Sequence, residues 1–425
     1  MKRQAMTPRP HWQAKLERLG FDYHSMDGDY WQERACYRFT ERQIDRLEEA
    51  TNTLHELCIA AVSFIIKHDR FAQLGIDPSA AALIEQSWRQ REPGLYGRFD
   101  LVYHPVHTPV PKMLEYNADT PTSLFEASVA QWYWLQDNFP HADQFNSIHE
   151  QLIGQWRLIA EQYQRQHSES RQHSESHQHS EPRHQQVKPA VTFATITDSI
   201  EDVVTCRYLQ DTAIQAGLTA QFMDLRNIGV MPLPNQNGVI GQFVDLEEHP
   251  IDLLFKLYPW EWLLEESFAA HIADSKTQWL EPIWKLLLSN KGILPILWEM
   301  TPNHPNLLPS YFASQREQLA HYPLKHGIIE KPLFSREGAN ISALNQDFTA
   351  TGLATPGEYG SANKALLIYQ AMEPLPTFIN AQKKPVYPVI GSWVVGHGAA
   401  GIGIREDDSL ITKDSSHFVP HYFEA

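Results

Sequence analysis

A strand, a helix and a second strand follow one another in the middle of the chain. The run AVTFATI (190–196) is apolar and strand-like, a helical pattern covers 203–216, and LTAQFMDL (218–225) is strand-like again. Gly217 stands where a helix commonly ends. Such a β-α-β unit has parallel strands joined by a right-handed crossover, so the sequence predicts an α/β or α+β fold. Further strands are predicted at 252–257, 293–298, 327–331 and 386–396.

The N-terminal third predicts two helices with a β-hairpin between them. Thr40 and Gln43 form a capping-box signature, and the apolar residues behind them recur at helical spacing over about seven turns. A second helical pattern runs from Phe125 to Leu135. Residues 95–117 instead contain two stretches that alternate in the manner of strands, joined by the short, Pro-containing string HPVHT. This arrangement predicts an antiparallel hairpin.

The charge balance excludes one large class of partner. Lys plus Arg is 35 and Asp plus Glu is 51, so the formal net charge is −16. Nucleic-acid proteins usually carry a net basic face, so we expect no such partner here. The apolar stretch 58–66 is too short to span a bilayer and no secretory signal is recognised, so a cytoplasmic protein without a membrane partner is expected. Three cysteines without CxxC spacing argue against a disulfide framework or a thiolate metal site. Cys58 and Cys206 each lie in an apolar helical run, which predicts buried, inert thiols.

Residues 165–186 consist almost entirely of Gln, His, Ser, Glu and Arg, and the string QHSE recurs in them. A segment with so little apolar surface to bury predicts a disordered, solvated loop. The clustered imidazoles could bind metal, or the repeat could be a tolerated expansion in a surface connection. No fixed geometry holds the imidazoles, which favours the expansion.

The predicted hairpin carries a possible metal site. Side chains two apart on a strand share a face, which groups Arg98 with Asp100 and Glu115 with Asn117. If the turn is centred near His107, Asp100 lies opposite Glu115. Two carboxylates and one amide oxygen then converge, and oxygen ligands suit a hard ion such as Mg²⁺, which also bridges substrate phosphates. The alternative is a surface hairpin with solvated charges.

Two lysines stand at element boundaries further along. Lys291 follows LLLSN and precedes the predicted strand GILPILW, and Lys331 ends GIIEK just before a loop that contains Gly338. A lysine beside such a loop can hold phosphate oxygens together with backbone N–H groups, although each lysine alone is typical of a solvated surface. The loop does not match the Walker A pattern. The glycine-rich stretch 391–403, ahead of Arg405, predicts either a bent strand pair lining a cleft or a plain hairpin.

Several ordered strings resemble one known family. They are GRFDLVY, LEYNADTPTSLFEA, NKGILPILWEM, EKPLFSREGANI and VVGHGAAGIGIREDDSLIT. Together they resemble the synthetase domain of glutathionylspermidine synthase, and they look most similar to its stand-alone bacterial relatives, the acid–amine ligases. The resemblance runs from about Trp12 to the C-terminus, interrupted by the His-rich segment. It implies the ATP-grasp fold, in which two α+β lobes clamp ATP beside a β-α-β substrate-side unit and a helical N-terminal part.

The resemblance also implies a division of the chain and a set of site residues. The implied regions are an N-terminal helical part with the metal-binding hairpin (1–164, hairpin 95–117), a disordered insert (165–187), a β-α-β substrate-side region (188–290) and a nucleotide-binding region (291–425). The implied catalytic arginines are Arg98 and Arg405, and the implied ligands of two Mg²⁺ ions are Asp100, Glu115 and Asn117. The implied ATP contacts are Arg98, Phe99, Asp100, Lys291, Lys331, Glu337, Gly338, Gln370, Ala371, Met372, Glu373, Leu410 and Ile411. The implied substrate contacts are Thr120, Thr122, Glu201, Asp202 and Lys256.

The implied reaction is amide formation between an acid and an amine through an acyl phosphate, with release of ADP and phosphate. The partners would be a small peptide or amino acid and an amine. Departures from the family concern the substrates: Thr120 and Thr122 replace serines, His417 replaces an acidic amine-binding residue, and Val389 replaces a polar nucleotide contact. No upstream amidase domain is recognised, so hydrolysis of the product is not expected. Two alternatives stay open: glutathionylspermidine synthesis itself, and a non-enzymatic, His-rich metal-binding or nucleotide-sensing protein.

Overall fold

Helices and strands alternate along the chain in the computed structural model, which describes residues 1–26, 28–174, 189–235, 238–357, 366–413 and 416–424. The helices are α1 (Trp12–Glu17), α2 (Glu41–Lys67), α3 (Pro78–Arg89), α4 (Gln131–Asn138), α5 (Ile148–Ser174), α6 (Ile200–Gln215), α7 (Trp260–Leu263), α8 (Leu286–Ser289) and α9 (Ile293–Met300). The strands are β1 (Lys2–Ala5), β2 (Ala35–Thr40), β3 (Tyr96–His104), β4 (Thr108–Asn117), β5 (Ala190–Thr195), β6 (Thr219–Asp224), β7 (Gly229–Asn235), β8 (Gly238–Val244), β9 (Leu253–Leu257), β10 (Gln278–Leu280), β11 (Ser310–Phe312), β12 (Ile328–Pro332), β13 (Ser342–Leu344), β14 (Ala350–Ala354), β15 (Leu367–Ala371), β16 (Phe378–Ile379), β17 (Pro385–Val395), β18 (Gly398–Asp407), β19 (His417–Val419) and β20 (His421–Glu424).

An antiparallel sheet joins distant parts of the chain in the order β19-β18-β17-β3-β4, with β16 also paired to β17. The predicted hairpin is β3 and β4, and its register pairs Asp100 with Glu115 and Arg98 with Asn117. The predicted cross-strand arrangement is therefore confirmed. The glycine-rich stretch forms the second hairpin of this sheet, β17 and β18.

A second sheet is parallel, in the order β10-β9-β5-β6. Helix α6 connects β5 to its parallel neighbour β6. The strand–helix–strand unit predicted from the sequence is thus confirmed. Residues 196–199 connect the end of β5 to the N-terminus of α6, whose first turn carries Glu201 and Asp202.

A third sheet is antiparallel, in the order β11-β15-β12-β13-β14. Its strands β12 and β15 present Lys331 and Gln370 to the same cavity as the β3–β4 hairpin. Two small sheets, β1-β2-β20 and β7-β8, complete the described strands. The chain is therefore a mixed α+β protein built from several separate sheets.

Helix α2 covers one face of the β17–β3 sheet. It begins at the predicted capping box, in which Thr40 and Gln43 exchange hydrogen bonds with the backbone, and it runs for the predicted number of turns. Its apolar stripe packs against β4, β17 and β18, and each buried aliphatic side chain there contributes about 1.5–3 kcal/mol. Phe99 stacks on Tyr116 on this face, with 3.8 Å between the ring centroids. Because strand side chains alternate, Asp100 points to the opposite face.

The prediction of a strand at 293–298 is wrong, because Ile293–Met300 is helix α9. The stretch is buried on all sides, so its apolar residues show neither the helical nor the strand period. Pro295 lies in the first turn, where a missing N–H is tolerated, whereas a proline in a central strand would interrupt the ladder.

Helix α5 extends into the segment predicted as disordered. Its backbone is helical as far as Ser174, so disorder from residue 165 onward is wrong for the first part of that segment. Residues 175–188 lie outside the described part of the chain. The prediction of a solvated, His-rich connection, and the alternative of a metal-binding one, therefore stay predictions.

The cysteines agree with the sequence analysis. Cys36, Cys58 and Cys206 are all buried and free, and burial raises the pKa of Cys36 to about 12. A thiol that stays protonated is a poor nucleophile and metal ligand, so the prediction of buried, inert thiols is confirmed. Within the described ranges, no helix has the length and apolar character needed to cross a membrane.

Candidate active site

A cavity of about 240 Å³ lies where three elements of the fold meet. The antiparallel hairpins β3–β4 and β17–β18 form one wall, and strands β12 and β15 form the wall opposite. The N-terminus of α6 and the loop after β4 line the cavity as well. Residues separated by several hundred positions in sequence therefore share one space.

A buried ion pair fixes the beginning of β3. Glu281 accepts hydrogen bonds from the backbone N–H groups of Leu95 (2.9 Å) and Tyr96 (2.9 Å). Lys285 Nζ lies 2.6 Å from Glu281 Oε2 and neutralises it. Both charges are almost completely buried, so removing either one would leave the other unpaired at high cost. The strand that carries Arg98 and Asp100 is thereby held at its first residue.

The polar face of the hairpin forms a charge network. Arg98 Nε lies 2.9 Å from Asp100 Oδ1, and its Nη1 donates to the carbonyl of Thr122 at 2.6 Å. A side chain at position 391 would collide with the Arg98 methylenes, so Gly391 on β17 leaves the space that this arginine occupies. Asn117 Nδ2 donates to Glu115 Oε1 at 3.1 Å. The four residues predicted on one face are indeed on one face.

Arg405 approaches the same carboxylate from β18. Its Nη2 lies 2.5 Å from Asp100 Oδ2, so one carboxylate separates two guanidinium groups. Arg405 Nε is buried and has no hydrogen-bond partner among the residues that the structure describes. A buried donor without an acceptor is costly, and an anion in the cavity would satisfy it.

Two lysines hold Glu115 from the other side. Lys291 Nζ lies 3.2 Å from Glu115 Oε2, and Lys331 donates to the Gln370 side chain (2.8 Å) and the Leu114 carbonyl (2.9 Å). Burial alone would raise the pKa of Glu115, but the two ammonium groups outweigh it and hold that pKa well below its ordinary value. Burial lowers the pKa of Lys331 to about 8, with Glu115 opposing the shift. Glu115 is consequently an anion at neutral pH.

The donor atoms at this end suit a hard cation and a polyanion together. Asp100, Glu115 and Asn117 supply carboxylate and amide oxygens, the set that Mg²⁺ prefers. Arg405, with its unsatisfied Nε, supplies the donor that phosphate oxygens need. The residues present therefore fit Mg²⁺ bound with a phosphate group.

The wall beyond the lysines is apolar. Val389, Leu375 and Val102 form a small buried cluster with Leu410 packed against it, and all but Val102 line the cavity. Backbone from the end of β15 borders the same space. A flat, weakly polar ring fits such a slot, since the ring faces meet aliphatic groups and its edge meets backbone N–H and C=O groups. Val389, which the sequence marked as a departure, thus lies in the cavity wall.

The loop after β12 folds over the cavity. Gly338 has φ +70°, and a Cβ there would collide with the Thr412 carbonyl oxygen, so the loop can approach that segment only with glycine. Arg336 donates from Nη1 to Thr120 Oγ1 (2.6 Å) and from Nε to Glu261 Oε1 (2.9 Å). This arginine ties the covering loop to the segment after β4.

Lys256 forms a buried ion pair outside the cavity. It is completely buried, with Nζ 2.6 Å from Asp119 Oδ1, and the other oxygen of Asp119 accepts a hydrogen bond from the Trp260 N–H at 2.8 Å. Lys256 does not line the cavity, whereas Thr120, next to Asp119, does. Lys256 therefore holds the segment that presents Thr120.

The end of the cavity near α6 is acidic. Glu201 and Asp202 line it, along with Tyr30 and Ser123. Behind Tyr30 lies the fully buried Glu126, in a π-helical turn (Glu126–Ala130) ahead of α4. Three carboxylates thus lie in or beside this part of the cavity, which suits a cationic ligand group, and the nearby Arg405 guanidinium also acts on Glu201.

The structure brings most of the predicted site residues to this cavity. Phe99, Lys291 and Lys256 are the predicted residues that do not line it: Phe99 faces α2, Lys291 lies behind Glu115, and Lys256 lies behind Thr120. The residues that do line it are Arg98, Asp100, Glu115, Asn117, Thr120, Thr122, Glu201, Asp202, Lys331, Glu337, Gly338, Gln370, Ala371, Met372, Glu373, Arg405, Leu410 and Ile411.

Sequence reasoning missed Tyr30, Glu126 and Arg336. Glu126 and Arg336 lie inside the strings LEYNADTPTSLFEA and EKPLFSREGANI, so the strings themselves marked these positions as candidates. Tyr30 lies in no such string, and 96 residues separate it from Glu126. No local pattern could have paired the two.

One further group of possible metal ligands lies elsewhere. Ligand atoms of Asp245, Glu247 and His249 come within 4.8 Å of one another on the turn after β8. None of the three lines the cavity, and Glu247 and His249 are exposed. Exposed acidic groups of this kind are common without an ion.

Comparison with known proteins places the chain among ligases. Its sequence matches the family described as "Glutathionylspermidine synthase preATP-grasp" over residues 3–424. It is 39% identical over 437 aligned residues to the "Putative acid–amine ligase" of Haemophilus influenzae, across the full length of both. It is 24% identical over 412 residues to the bifunctional glutathionylspermidine synthetase/amidase of Escherichia coli, spanning 90% of this chain and 58% of that protein. A glutathione synthetase-like effector of Globodera pallida, 9% identical, shares the fold with a TM-score of 0.55 over 92% of this chain and 89% of that one.

Proposed function

The chain belongs to the glutathionylspermidine synthase preATP-grasp family, and on that premise we propose that it joins a small acid to an amine while ATP is converted to ADP and phosphate. Family membership confirms the resemblance predicted from the motifs and, with it, the prediction of an ATP-dependent carbon–nitrogen ligase. The proposal extends to an ATP-grasp arrangement, a cytoplasmic address and the division into 1–164, 165–187, 188–290 and 291–425.

One observation carries the proposal. A single cavity is lined both by cationic side chains and metal-type oxygens, from Arg98, Arg405, Asp100 and Glu115, and by the carboxylates of Glu201 and Asp202 at the start of α6. A ligase of this kind must hold the phosphates of ATP and a positively charged amine on opposite sides of the reacting carboxylate. The charge distribution of this cavity supports that arrangement.

The reaction that we propose has two chemical steps. A carboxylate oxygen of the acid attacks the γ-phosphorus of ATP, the bond to ADP breaks, and an acyl phosphate results. The amine nitrogen then attacks the acyl carbon, and phosphate leaves with the electron pair of the broken C–O bond. Bound Mg²⁺ would neutralise and align phosphate oxygens, which is most of what phosphoryl transfer requires of a protein site.

The residues divide these tasks. Asp100, Glu115 and Asn117 would hold Mg²⁺, and Arg98 and Arg405 would bind the oxygens of the group in transfer. Each arginine already contacts Asp100, so neither has to travel to reach the phosphate. The remaining nucleotide contacts would come from Lys331, Glu337, Gly338, Gln370, Ala371, Met372, Glu373, Leu410 and Ile411, and the substrate contacts from Thr120, Thr122, Glu201 and Asp202. Lys291, which does not line the cavity, would act through Glu115.

A second candidate is the narrower reaction of glutathione with spermidine. The acidic pair at the start of α6 favours it, since a polyamine carries several positive charges. His417, whose Nδ1 lies 2.8 Å from the Asp29 carbonyl, replaces the expected carboxylate and favours a different amine. The general proposal covers both cases.

The test is ADP release by the full chain with Mg²⁺ and ATP. Amino acids, small peptides and glutathione are each combined with a panel of amines, and hydroxylamine serves as a general nucleophile that traps an acyl phosphate as a hydroxamate. We expect release that rises only when one acid and one nucleophile are both present. Release that no acid or amine alters, without any hydroxamate, would contradict the proposal.

A further inference from the structure

A buried carboxylate lies directly behind the acidic end of the cavity. Glu126 Oε1 accepts hydrogen bonds from the hydroxyls of Tyr30 (2.7 Å) and Tyr23 (3.0 Å). Glu126 Oε2 is buried and has no hydrogen-bond partner in the described ranges. Leaving one oxygen of a buried carboxylate unsatisfied is costly, and the π-helical turn that places it is itself a rare feature, frequent at functional sites. Packing alone does not account for a glutamate at this position.

Tyr30 connects this carboxylate to the cavity. Tyr30 lines the cavity, and its hydroxyl lies 3.2 Å from Ser123 Oγ, which lines it too. Tyr23 binds the same oxygen of Glu126 but does not line the cavity. Of the two tyrosines, Tyr30 is therefore the one that a substrate in the acidic end can touch.

The surroundings of Glu126 favour its neutral form more than is usual for a glutamate. Burial, together with the charge of Glu201, raises the pKa of Glu126 to about 7. Burial also raises the pKa of Tyr30 well above its ordinary value, so its hydroxyl does not ionise on its own. The titratable and charged groups on the elements around Glu126 are Tyr23 and Tyr30 from the N-terminal segment, Glu201 and Tyr208 from α6, Arg405 from β18 and His149 from α5, which binds Tyr208 at 3.0 Å.

We propose that Tyr30 and Glu126 form a relay that removes a proton from the amine substrate before it attacks the activated acid. The relay deepens, and rests on, the proposed ligase function. Tyr30 is the catalytic residue of the pair, and Glu126, which acts only through Tyr30, is the positioning residue that receives the proton. Glu201 and Asp202, which line the cavity, hold the positive charge of the ammonium group.

The proton and electron balance is as follows. The ammonium group gives one proton to Tyr30 Oη while the proton of Tyr30 passes to Glu126 Oε1, so Glu126 becomes neutral and the amine gains a free electron pair. That pair forms the C–N bond, and the C–O bond to phosphate breaks with its electrons on the phosphate oxygen. The second proton of the nitrogen leaves with phosphate. Glu126 returns its proton to solvent through Tyr30 after product release.

A base whose pKa lies near the working pH is the efficient choice for this step. A carboxylate with an ordinary pKa would be too weak a base to deprotonate an ammonium group at neutral pH. Burial moves Glu126 toward the useful range, and the tyrosine carries the proton across the wall that keeps Glu126 dry. The raised pKa, which would be costly in a purely structural residue, thus serves this step.

The test compares two nucleophiles in the full chain with Mg²⁺, ATP and the acid that gives the fastest ADP release. One is the paired amine, which is charged at neutral pH, and the other is hydroxylamine, which is largely uncharged. The readout is the ratio of amide to hydroxamate formation. Substitution of a residue whose role is only structural would change the rates of amide and hydroxamate formation alike, so their ratio would stay the same.

Glu126→Gln keeps an oxygen that accepts both tyrosine hydroxyls but cannot take up a proton. We expect it to lower the ratio about 100-fold at pH 7 and to shift the pH profile of amide formation toward higher pH. Tyr30→Phe should lower the ratio similarly, and the double variant should be no worse than either single one, because the two act as a unit. Tyr23→Phe is the matched control: it removes a hydrogen bond from the same oxygen, and the ratio should stay within about twofold.

Each result decides something. An equal loss of both activities in Glu126→Gln, or an equal effect of Tyr23→Phe and Tyr30→Phe, would overturn the relay alone. A wild-type protein that forms neither amide nor hydroxamate with any acid would overturn the proposed function, and the relay with it.

Discussion

Glu115 and Glu126 are both glutamates beside one cavity, yet the charged groups nearest to them are positive for Glu115 and negative for Glu126. Glu115 lies 3.2 Å from the Lys291 ammonium group and near Lys331, and these charges outweigh burial and keep its pKa low. Glu126 accepts hydrogen bonds from two tyrosine hydroxyls and lies near Glu201, and burial raises its pKa to about 7. The same side chain is a permanent anion at one end and a proton acceptor at the other. The charges of the neighbouring groups, and not the residue type, therefore determine the protonation behaviour of each glutamate.

The comparison also explains how an acidic protein can bind a polyanion. The chain carries a formal charge of −16, but Arg98, Arg405, Lys291 and Lys331 converge around two carboxylates at one end of the cavity. In a confined site, the charges that line the site determine what binds, because its walls separate the ligand from the charges on the rest of the surface. The net charge of the whole chain is therefore compatible with a nucleotide bound in this cavity.

The largest effect that we expect comes from the cationic end. Asp100→Ala removes a proposed metal ligand and the anion between Arg98 and Arg405, so ATP turnover should fall about 1,000-fold or more. ADP release measures it, and thermal unfolding verifies the fold. Asp245→Ala, in the Asp245–Glu247–His249 group outside the cavity, is the control and should retain turnover. If the control lost activity and Asp100→Ala did not, the metal would belong to the other group.

The next largest effect should come from removing the lysine that is paired with Asp119, a buried carboxylate behind the cavity. Lys256→Met would leave Asp119 buried without its partner, so the free energy of unfolding should fall by about 3–5 kcal/mol. Urea unfolding measures the change. Lys15→Met, in an exposed pair with Asp137, should cost about 1 kcal/mol or less. Unchanged stability with weaker acid binding would instead make Lys256 a substrate ligand, as the resemblance implied.

The contrast between the two glutamates predicts an unusual pH dependence of stability. The folded-state pKa of Glu126, about 7, lies above the ordinary value of 4.5, so the folded state binds the proton more tightly. This contribution to stability is present below pH 4.5 and is lost as pH rises through 7. Glutamine does not titrate, so Glu126→Gln should gain up to about 3 kcal/mol relative to wild type between pH 4.5 and 8. Denaturant unfolding at several pH values measures this, and a constant difference would argue against the raised pKa.

The smallest effect should come from the loop over the cationic end. Gly338→Ala forces the loop away from the Thr412 carbonyl, so the KM for ATP should rise about tenfold, equivalent to about 1.4 kcal/mol. Gly352→Ala is the control, since Gly352 also has a positive φ but no atom lies near a Cβ there. Equal effects of the two variants would mean that backbone strain, not the contact with Thr412, limits ATP binding.

The sequence predicted the cationic end better than the acidic one, for a physical reason. Residues Arg98, Asp100, Glu115 and Asn117 lie on one hairpin, whose alternation and short connection determine the cross-strand pairs. The partners of Glu126 come from segments about 100 residues away, which no local pattern relates. Lys256 could be named from the sequence, but its burial behind Thr120 depends on packing between the parallel sheet and the hairpin.

The error at 293–298 has a similar cause. A run of apolar residues buried on all sides carries no period, so its length and composition suit a strand and a helix equally. The available signal was Pro295, which a central strand would exclude and a first helical turn tolerates. In such a stretch, a residue that excludes one type of element predicts the structure better than hydrophobicity does.

The contact between Asp100 and Arg405 spans 305 positions of the chain. Strand β3 emerges from the ribosome early, but its neighbours β17 and β18 are among the last strands to be synthesised. A nascent or prematurely terminated chain thus lacks one wall of the cavity and one of its arginines. We therefore expect such fragments not to turn over ATP, and the site to be completed only after β18 has been synthesised, late in folding, as for other topologies of long-range contacts.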